Sequence, residues 1–221
     1  MNAGEQPNPS AEAGGCRLLL RGGLGMLRTL DEARLERVFG RDAVVGLLLE
    51  VEEATDDELR GLRRLLNAQR CALLLVDEVR PVKSGSADGV HLREPARVRE
   101  TRRRLGPAFI IGASCGLSRH LAMVAGEDGA DYVLFGEPGD GPGADFERLA
   151  DLAAWWSELF LPPCAVAIPP DPVVARRFAS TGADFLVPDG GLWTCPDGVE
   201  KRLADLEATL APAPEGGSTT P

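Results

Sequence analysis

The chain has 221 residues, with 34 Asp and Glu against 24 Lys and Arg, and a formal net charge of -10. That length fits one α/β domain with a full core, and that charge excludes a nucleic-acid backbone as partner, because such binding relies on a basic surface and counterion release. The sequence opens with no basic leader and apolar stretch, and it nowhere runs to about 18 consecutive apolar residues, so a soluble, cytoplasmic protein without membrane contact is expected.

In chain order, residues 1–15 are rich in Gly, Pro and small polar residues and are expected to form a disordered tail, as is the closing stretch 211–221. Between them, over 16–210, short apolar runs alternate with helical patterns, the signature of βα units around a parallel sheet. The runs are Cys16 to Leu20, Val44 to Leu49, Ala72 to Val76, Gly89 to Leu92, Phe109 to Gly112, Tyr132 to Phe135, Ala165 to Ile168 and Phe185 to Val187. Their continuous apolarity suits strands covered on both faces. Thr55 followed by Glu58 reads as a capping box that opens a helix with Leu59, Leu62, Leu65 and Leu66 on one face. Between the third and fourth runs, Pro81 and Gly85 leave room for little more than a turn. A long helix near Asp145 to Phe160 carries Trp155 and Trp156, one expected to pack on the sheet and the other to stay partly exposed, as surface packing or as a contact in a homodimer or with a protein partner. The run Arg102-Arg103-Arg104 closes a helix, where it complements the dipole.

One short phrase recurs three times, as Ser86-Ala87-Asp88-Gly89-Val90, Gly129-Ala130-Asp131-Tyr132-Val133 and Gly182-Ala183-Asp184-Phe185-Leu186. Each closes a helical stretch and opens a strand: Gly supplies the left-handed cap, and Asp hydrogen-bonds nearby backbone. Eight strands joined by such turns predict a single-domain TIM (β/α)8 barrel, with these turns on its stability face and chemistry at the opposite, C-terminal strand ends.

The five cysteines are widely spaced without a CxxC or zinc pattern, so free thiols are expected, with Cys71 and Cys164 as small core residues. Cys115 differs in following a strand end. The residues at the predicted strand ends include Glu50, Asp77, Glu78, Glu94, Glu137, Asp140, Asp171 and Asp189, with Arg21 and Arg93 as the nearest cations, so the rim reads acidic and suited to a cation, a metal or a basic loop. Ser118 is a candidate N-cap, which places Arg119, His120 and free backbone N–H groups above the fifth strand as an anion site. His120 can serve as acid or base near neutral pH, with Glu137 or Asp77 as counterpart. His91, on a strand, reads as a structural histidine.

The segments ADGVHL at Ala87 to Leu92, LGPAFIIGAS at Leu105 to Ser114, GADYVLFG at Gly129 to Gly136 and GADFLV at Gly182 to Val187 resemble the thiamine phosphate synthase and TenI (thiazole tautomerase) superfamily of small TIM barrels. The resemblance implies a small-molecule thiamine precursor as ligand, Ser114 as a diphosphate-binding residue, and Asp77 as the surviving carboxylate for magnesium. Beside it, the residues' own places at the strand ends make Cys115, Arg119, Gly136, Gly190 and Gly191 candidate ligand or phosphate contacts and His120 and Glu137 candidate catalytic residues, Glu137 standing where the family's tautomerases have a His. Other family positions are altered. A Gln-Leu-Arg-x-Lys segment becomes Leu47-Leu48-Leu49-Glu50-Val51, and a magnesium-binding Asp becomes Ala96. The Thr-Pro-Thr-Lys clamp becomes Glu137-Pro138-Gly139-Asp140, and a Gly-Gly pair becomes Pro169-Pro170, which cannot donate. Diphosphate displacement needs positive charge on the leaving group. The expectation is therefore a divergent barrel linked to thiamine biosynthesis that binds a thiazole or pyrimidine phosphate, either with altered chemistry such as thiazole isomerisation or with none. The alternatives are a non-catalytic regulatory barrel engaging a protein partner, and an active synthase.

Overall fold

The computed structural model describes residues 15–136, 145–195 and 197–210. Eight parallel strands close a barrel in chain order: β1 Arg17–Gly23, β2 Val44–Glu50, β3 Ala72–Val76, β4 Gly89–Leu92, β5 Ile110–Gly116, β6 Tyr132–Phe135, β7 Cys164–Ile168 and β8 Phe185–Pro188. This is the TIM barrel expected from the sequence. β1 and β5 run past the predicted apolar stretches. Arg21, Gly22 and Gly23 still pair with Leu48, Leu49 and Glu50, and Ser114 and Gly116 with Leu134 and Phe135, because backbone pairing continues where side chains turn polar.

The helices around the barrel are α1 Leu24–Leu27, α2 Glu32–Phe39, α3 Asp56–Ala68, α4 Val79–Lys83, α5 Val98–Leu105, α6 Arg119–Glu127, α7 Phe146–Leu159, α8 Pro172–Ala179 and α9 Val199–Leu210. The Thr55 hydroxyl accepts the Glu58 N–H (3.2 Å). The Glu58 carboxylate instead takes Arg28 (2.8 Å), so only half of the expected capping box forms. α4 has five residues, as Pro81 and Gly85 require. Trp156 is buried against Phe135, while Trp155 is half-buried at the surface.

Period-two alternation divides the apolar residues. Leu19, Leu48, Leu74, Val76, Tyr132, Leu134, Ala165, Ala167 and Val187 fill the barrel interior. Their neighbours Leu18, Leu20, Leu47, Leu49, Leu73, Leu75, Ile111, Ala113 and Cys115 pack under the helices. This register puts Arg21, Glu50, His91 and Ser114 on the inward face.

The recurrent aspartates join the strand pairs β3–β4, β5–β6 and β7–β8. Asp88 donates its N–H to the Leu73 carbonyl (2.8 Å), and its carboxylate accepts the Leu73 N–H (2.9 Å). Asp131 does the same with Ile111 (2.7 and 2.6 Å), and Asp184 with Cys164 (3.0 and 2.8 Å). Gly85, Gly129 and Gly182 take positive φ at these turns, which glycine does without strain. Arg102 corrects the expectation that its run only complements a helix dipole: it donates to the carbonyls of Gly106, Phe109 and Gly129 and pairs with Asp131.

Candidate functional site

The C-terminal ends of β1 to β4 carry a chain of five charged side chains. Glu50 Oε1 accepts from Arg21 Nη2 (2.6 Å) and Arg93 Nη2 (3.0 Å). Asp77 accepts at Oδ2 from Arg93 Nη1 (3.3 Å), and at Oδ1 from Arg97 Nη1 and the Arg93 backbone N–H (both 3.1 Å). Three guanidinium groups against two carboxylates leave one positive charge. Two of the rim carboxylates, Glu50 and Asp77, are thus paired with arginine, while Glu52 and Glu53 line the cleft beside them. Burial acts to raise the Glu50 pKa, but the hydrogen bonds and charges of Arg21 and Arg93 outweigh it and hold the carboxyl below its usual range.

Asp77 leaves β3 with φ 59°, a left-handed conformation that Asp tolerates better than most side chains. Its N–H donates to the His91 carbonyl (2.9 Å), which fixes the carboxylate between β3 and β4. Across the mouth, Trp193 donates its indole N–H to the Arg21 carbonyl (2.6 Å). A Cβ at Gly22 would lie 2.9 Å from the Met26 methyl and 3.1 Å from the Trp193 nitrogen, so the loop packs closely on this glycine. Beside the charged chain lies a cleft of about 710 Å³, lined among others by Gly23, Met26, Glu50, Val76 and Arg93. That is within the size range of small-molecule sites. A hollow of about 680 Å³ between α1, α2 and α3 lies outside the barrel, away from the strand ends.

Below the rim, His91 is fully buried, with Nδ1 2.8 Å from the Tyr132 hydroxyl and Nε2 2.9 Å from the Ser114 hydroxyl. Burial, then the charges of Arg21 and Arg93, push the imidazole pKa down to about 3, so it is neutral. Burial pushes the Tyr132 phenol upward. A Cβ at Gly112 would sit 2.0 Å from the Tyr132 ring, so this glycine makes room for the tyrosine.

The sequence-predicted residues scatter. Asp77 is at the rim, and Ser114, 5% exposed, faces the interior at the end of β5. Cys115 does not join them: alternation turns its side chain under the helices, where it is 1% exposed with Sγ 3.5 Å from the Ala113 carbonyl. Ser118 caps α6 through the Leu121 N–H (3.2 Å). Arg119 and His120 stand in the first turn of α6 as expected, both exposed, and the Arg119 guanidinium lies 4.7 Å above the Trp155 ring. The Gly136 N–H donates to the Gly116 carbonyl (3.1 Å), and the Gly191 N–H to Asp189 Oδ1 (2.8 Å), so both amides are engaged within the protein, while Gly190 begins the same short turn. Glu137 and Asp140 lie outside the described residues, as do 1–14 and 211–221. Sequence reasoning missed Arg97 and Tyr132. The signal for Tyr132 was its inward register opposite Gly112.

The site does not suit magnesium at Asp77, because both carboxylate oxygens already take hydrogens from arginine. Among the described residues, no group of three or more His, Cys, Asp or Glu is placed to hold a metal ion. No helix of the described residues is long and apolar enough to cross a membrane.

Residues 50–167 match the family model for thiamine monophosphate synthase. The chain is 36% identical over 169 residues to the thiamine-phosphate synthase of Rhodospirillum centenum, covering 73% of this chain and 82% of that one. It is 36% identical over 172 residues to that of Erythrobacter litoralis, covering 73% and 81%. Among solved structures, thiamine phosphate pyrophosphorylase from Pyrococcus furiosus superposes with a TM-score of 0.69 at 23% identity, covering 87% of this chain and 94% of that one. (S)-3-O-geranylgeranylglyceryl phosphate synthase from Thermoplasma acidophilum, in complex with sn-glycerol-1-phosphate, superposes at 0.61 with 12% identity, covering 89% and 94%. These two likenesses concern the fold.

Proposed function

The chain belongs to the thiamine monophosphate synthase family, and from that premise we propose that it binds a phosphorylated thiamine precursor, a thiazole or pyrimidine phosphate, at the mouth above β1 to β4. The observation that carries this reading is the chain Arg21–Glu50–Arg93–Asp77–Arg97 with its surplus positive charge. Arg93 and Arg97 are partly exposed, and a phosphate can take hydrogens from both in the bidentate manner that guanidinium favours. Ser114, on the inward face of β5, is the hydroxyl that the resemblance assigns to the same ligand. Magnesium in the family would supply charge to a departing diphosphate. Here arginine occupies the carboxylate that would hold it, so the ligand is held by guanidinium groups without a metal. The loss of the family's Lys and Thr clamps argues for binding with altered chemistry, such as isomerisation of a thiazole, or with none.

A second reading, full synthase activity, is favoured by the names of the relatives at 36% identity. Thermal shift and turnover with thiazole phosphate and aminopyrimidine diphosphate, each with magnesium and with EDTA, separate the two. A metal-independent shift with thiazole phosphate supports the first reading. Magnesium-dependent turnover of the pair replaces it with the second. No shift with either compound overturns both and leaves a barrel that engages a protein partner.

A further inference from the structure

We infer that Tyr132 and His91 are positioning residues that fix the Ser114 hydroxyl as a hydrogen-bond donor toward the barrel mouth, where the anionic group that the resemblance assigns to Ser114 would accept it. The ligand half of this inference rests on the phosphorylated precursor proposed above; the direction of the relay does not.

The phenol of Tyr132 is enclosed in the barrel, edge-on to Phe185 and 4% exposed. Among the described residues, its hydroxyl has His91 Nδ1 as partner and no other. A buried O–H without an acceptor costs more than the bond it replaces, so Tyr132 donates and Nδ1 accepts. A neutral imidazole carries one N–H, which therefore sits on Nε2 and donates to Ser114 Oγ at 2.9 Å. A hydroxyl that accepts keeps its own hydrogen for another acceptor. The two hydroxyls are equally buried, so place decides between them: Tyr132 opens β6 at the end of the barrel away from the mouth, whereas Ser114 lies toward the C-terminal end of β5, where a group in the mouth can take its hydrogen. Ser114 lies on the inward face of β5, two residues before the strand ends. The opposite tautomer would strand the phenol hydrogen, turn Ser114 Oγ–H back to Nε2, and present lone pairs to the ligand, which repel phosphate. One tyrosine, remote from the ligand, thus selects between an anion and a donor at the mouth.

The direct test is ¹⁵N NMR of the imidazoles in the full, ligand-free chain. There are two histidines, and H120Q assigns them. Expected is a protonated Nε2 and a bare Nδ1 at His91; a protonated Nδ1 overturns the inference. The second arm measures thiazole phosphate affinity in S114A, in the double variant H91L/Y132F, and in the triple variant. Removing both buried partners together spares the fold an orphaned hydroxyl. Each is expected to lose about 10-fold, and the triple no more than about 10-fold, because all act through one hydrogen bond. H91Q, which keeps an N–H for Ser114, is expected to retain affinity. A folded H91L/Y132F with full affinity overturns the positioning role. If the unaltered chain binds no thiazole phosphate, the functional proposal falls, and the NMR result still decides the relay.

Discussion

Arg93 holds Asp77 twice, once through its backbone N–H at 3.1 Å from Oδ1 and once through its guanidinium at 3.3 Å from Oδ2. The residue that family likeness assigns to magnesium is therefore an anchor for the loop after β4, and it presents Arg93 to the cleft. Five predictions follow from this and from the packing beneath it.

Arg93→Ala removes the bridge between Glu50 and Asp77. Exposed ion pairs contribute little, so the stability change should stay within about 1 kcal/mol. Thiazole phosphate affinity, measured by titration calorimetry, should fall about 10-fold through loss of a charge-assisted bond. An unchanged affinity would place the phosphate elsewhere.

Chelation should leave thiazole phosphate binding unaltered, because Asp77 is committed to Arg93 and Arg97. Titrations in EDTA and in excess magnesium should superimpose. A drop in affinity on chelation would show that a metal displaces the arginines.

Gly112→Ala should be among the more damaging single changes in the barrel. Its Cβ would meet the Tyr132 ring at 2.0 to 2.4 Å, which forces the phenol away from His91. Overpacking of this kind costs about 1–3 kcal/mol, and the lost buried hydrogen bond adds to it. Thermal unfolding measures the sum, and a melting temperature equal to that of the unaltered chain would refute the packing described.

Asp184→Ala and Asp184→Asn should differ. Burial is the larger influence on this carboxyl and raises its pKa. Alanine leaves the Cys164 N–H without its acceptor, a loss of about 1–3 kcal/mol. Asparagine keeps an acceptor oxygen and is spared the burial of charge, so it should cost clearly less. Urea unfolding of the two variants provides the comparison, and equal losses would count against the N–H bond.

Acid should weaken the fold through His91. Its folded pKa of about 3 lies below the ordinary 6.5 of an imidazole, so the unfolded chain takes up a proton that the folded chain refuses. Stability is therefore full above pH 6.5 and falls as pH drops toward 3. The slope from this group is at most ~1.4 kcal/mol per pH unit. The difference in unfolding free energy between the unaltered chain and H91L/Y132F, followed across that window, isolates it. Parallel curves would mean that His91 is protonated in the fold.

The barrel was legible because its signals are local: eight apolar runs, and three turns in which an Ala-Asp pair opens a strand. Ser118 and Thr55 were legible as caps for the same reason. The mouth was less so. Glu50, Asp77, Arg21 and Arg93 were all visible as strand-end charges, but their pairing depends on which β1 and β4 residues share the inward register, and the barrel closure sets that. Arg119 was legible as a first-turn residue of α6, but the contact of its guanidinium with Trp155 was not, because a helix N-terminus indicates where a long side chain begins and not where it ends. Cys115 misled through parity, since one step along a strand reverses its facing.

The aspartate clasps at Leu73, Ile111 and Cys164 have a use for protein engineering. They tie three of the strand pairs at the rim remote from Arg21, Arg93 and Ser114, so the seams there do not depend on what stands at the mouth. A library that randomises mouth positions while leaving Asp88, Asp131 and Asp184 fixed should yield a large share of folded members. The chain is in that sense a ready host for grafted binding loops.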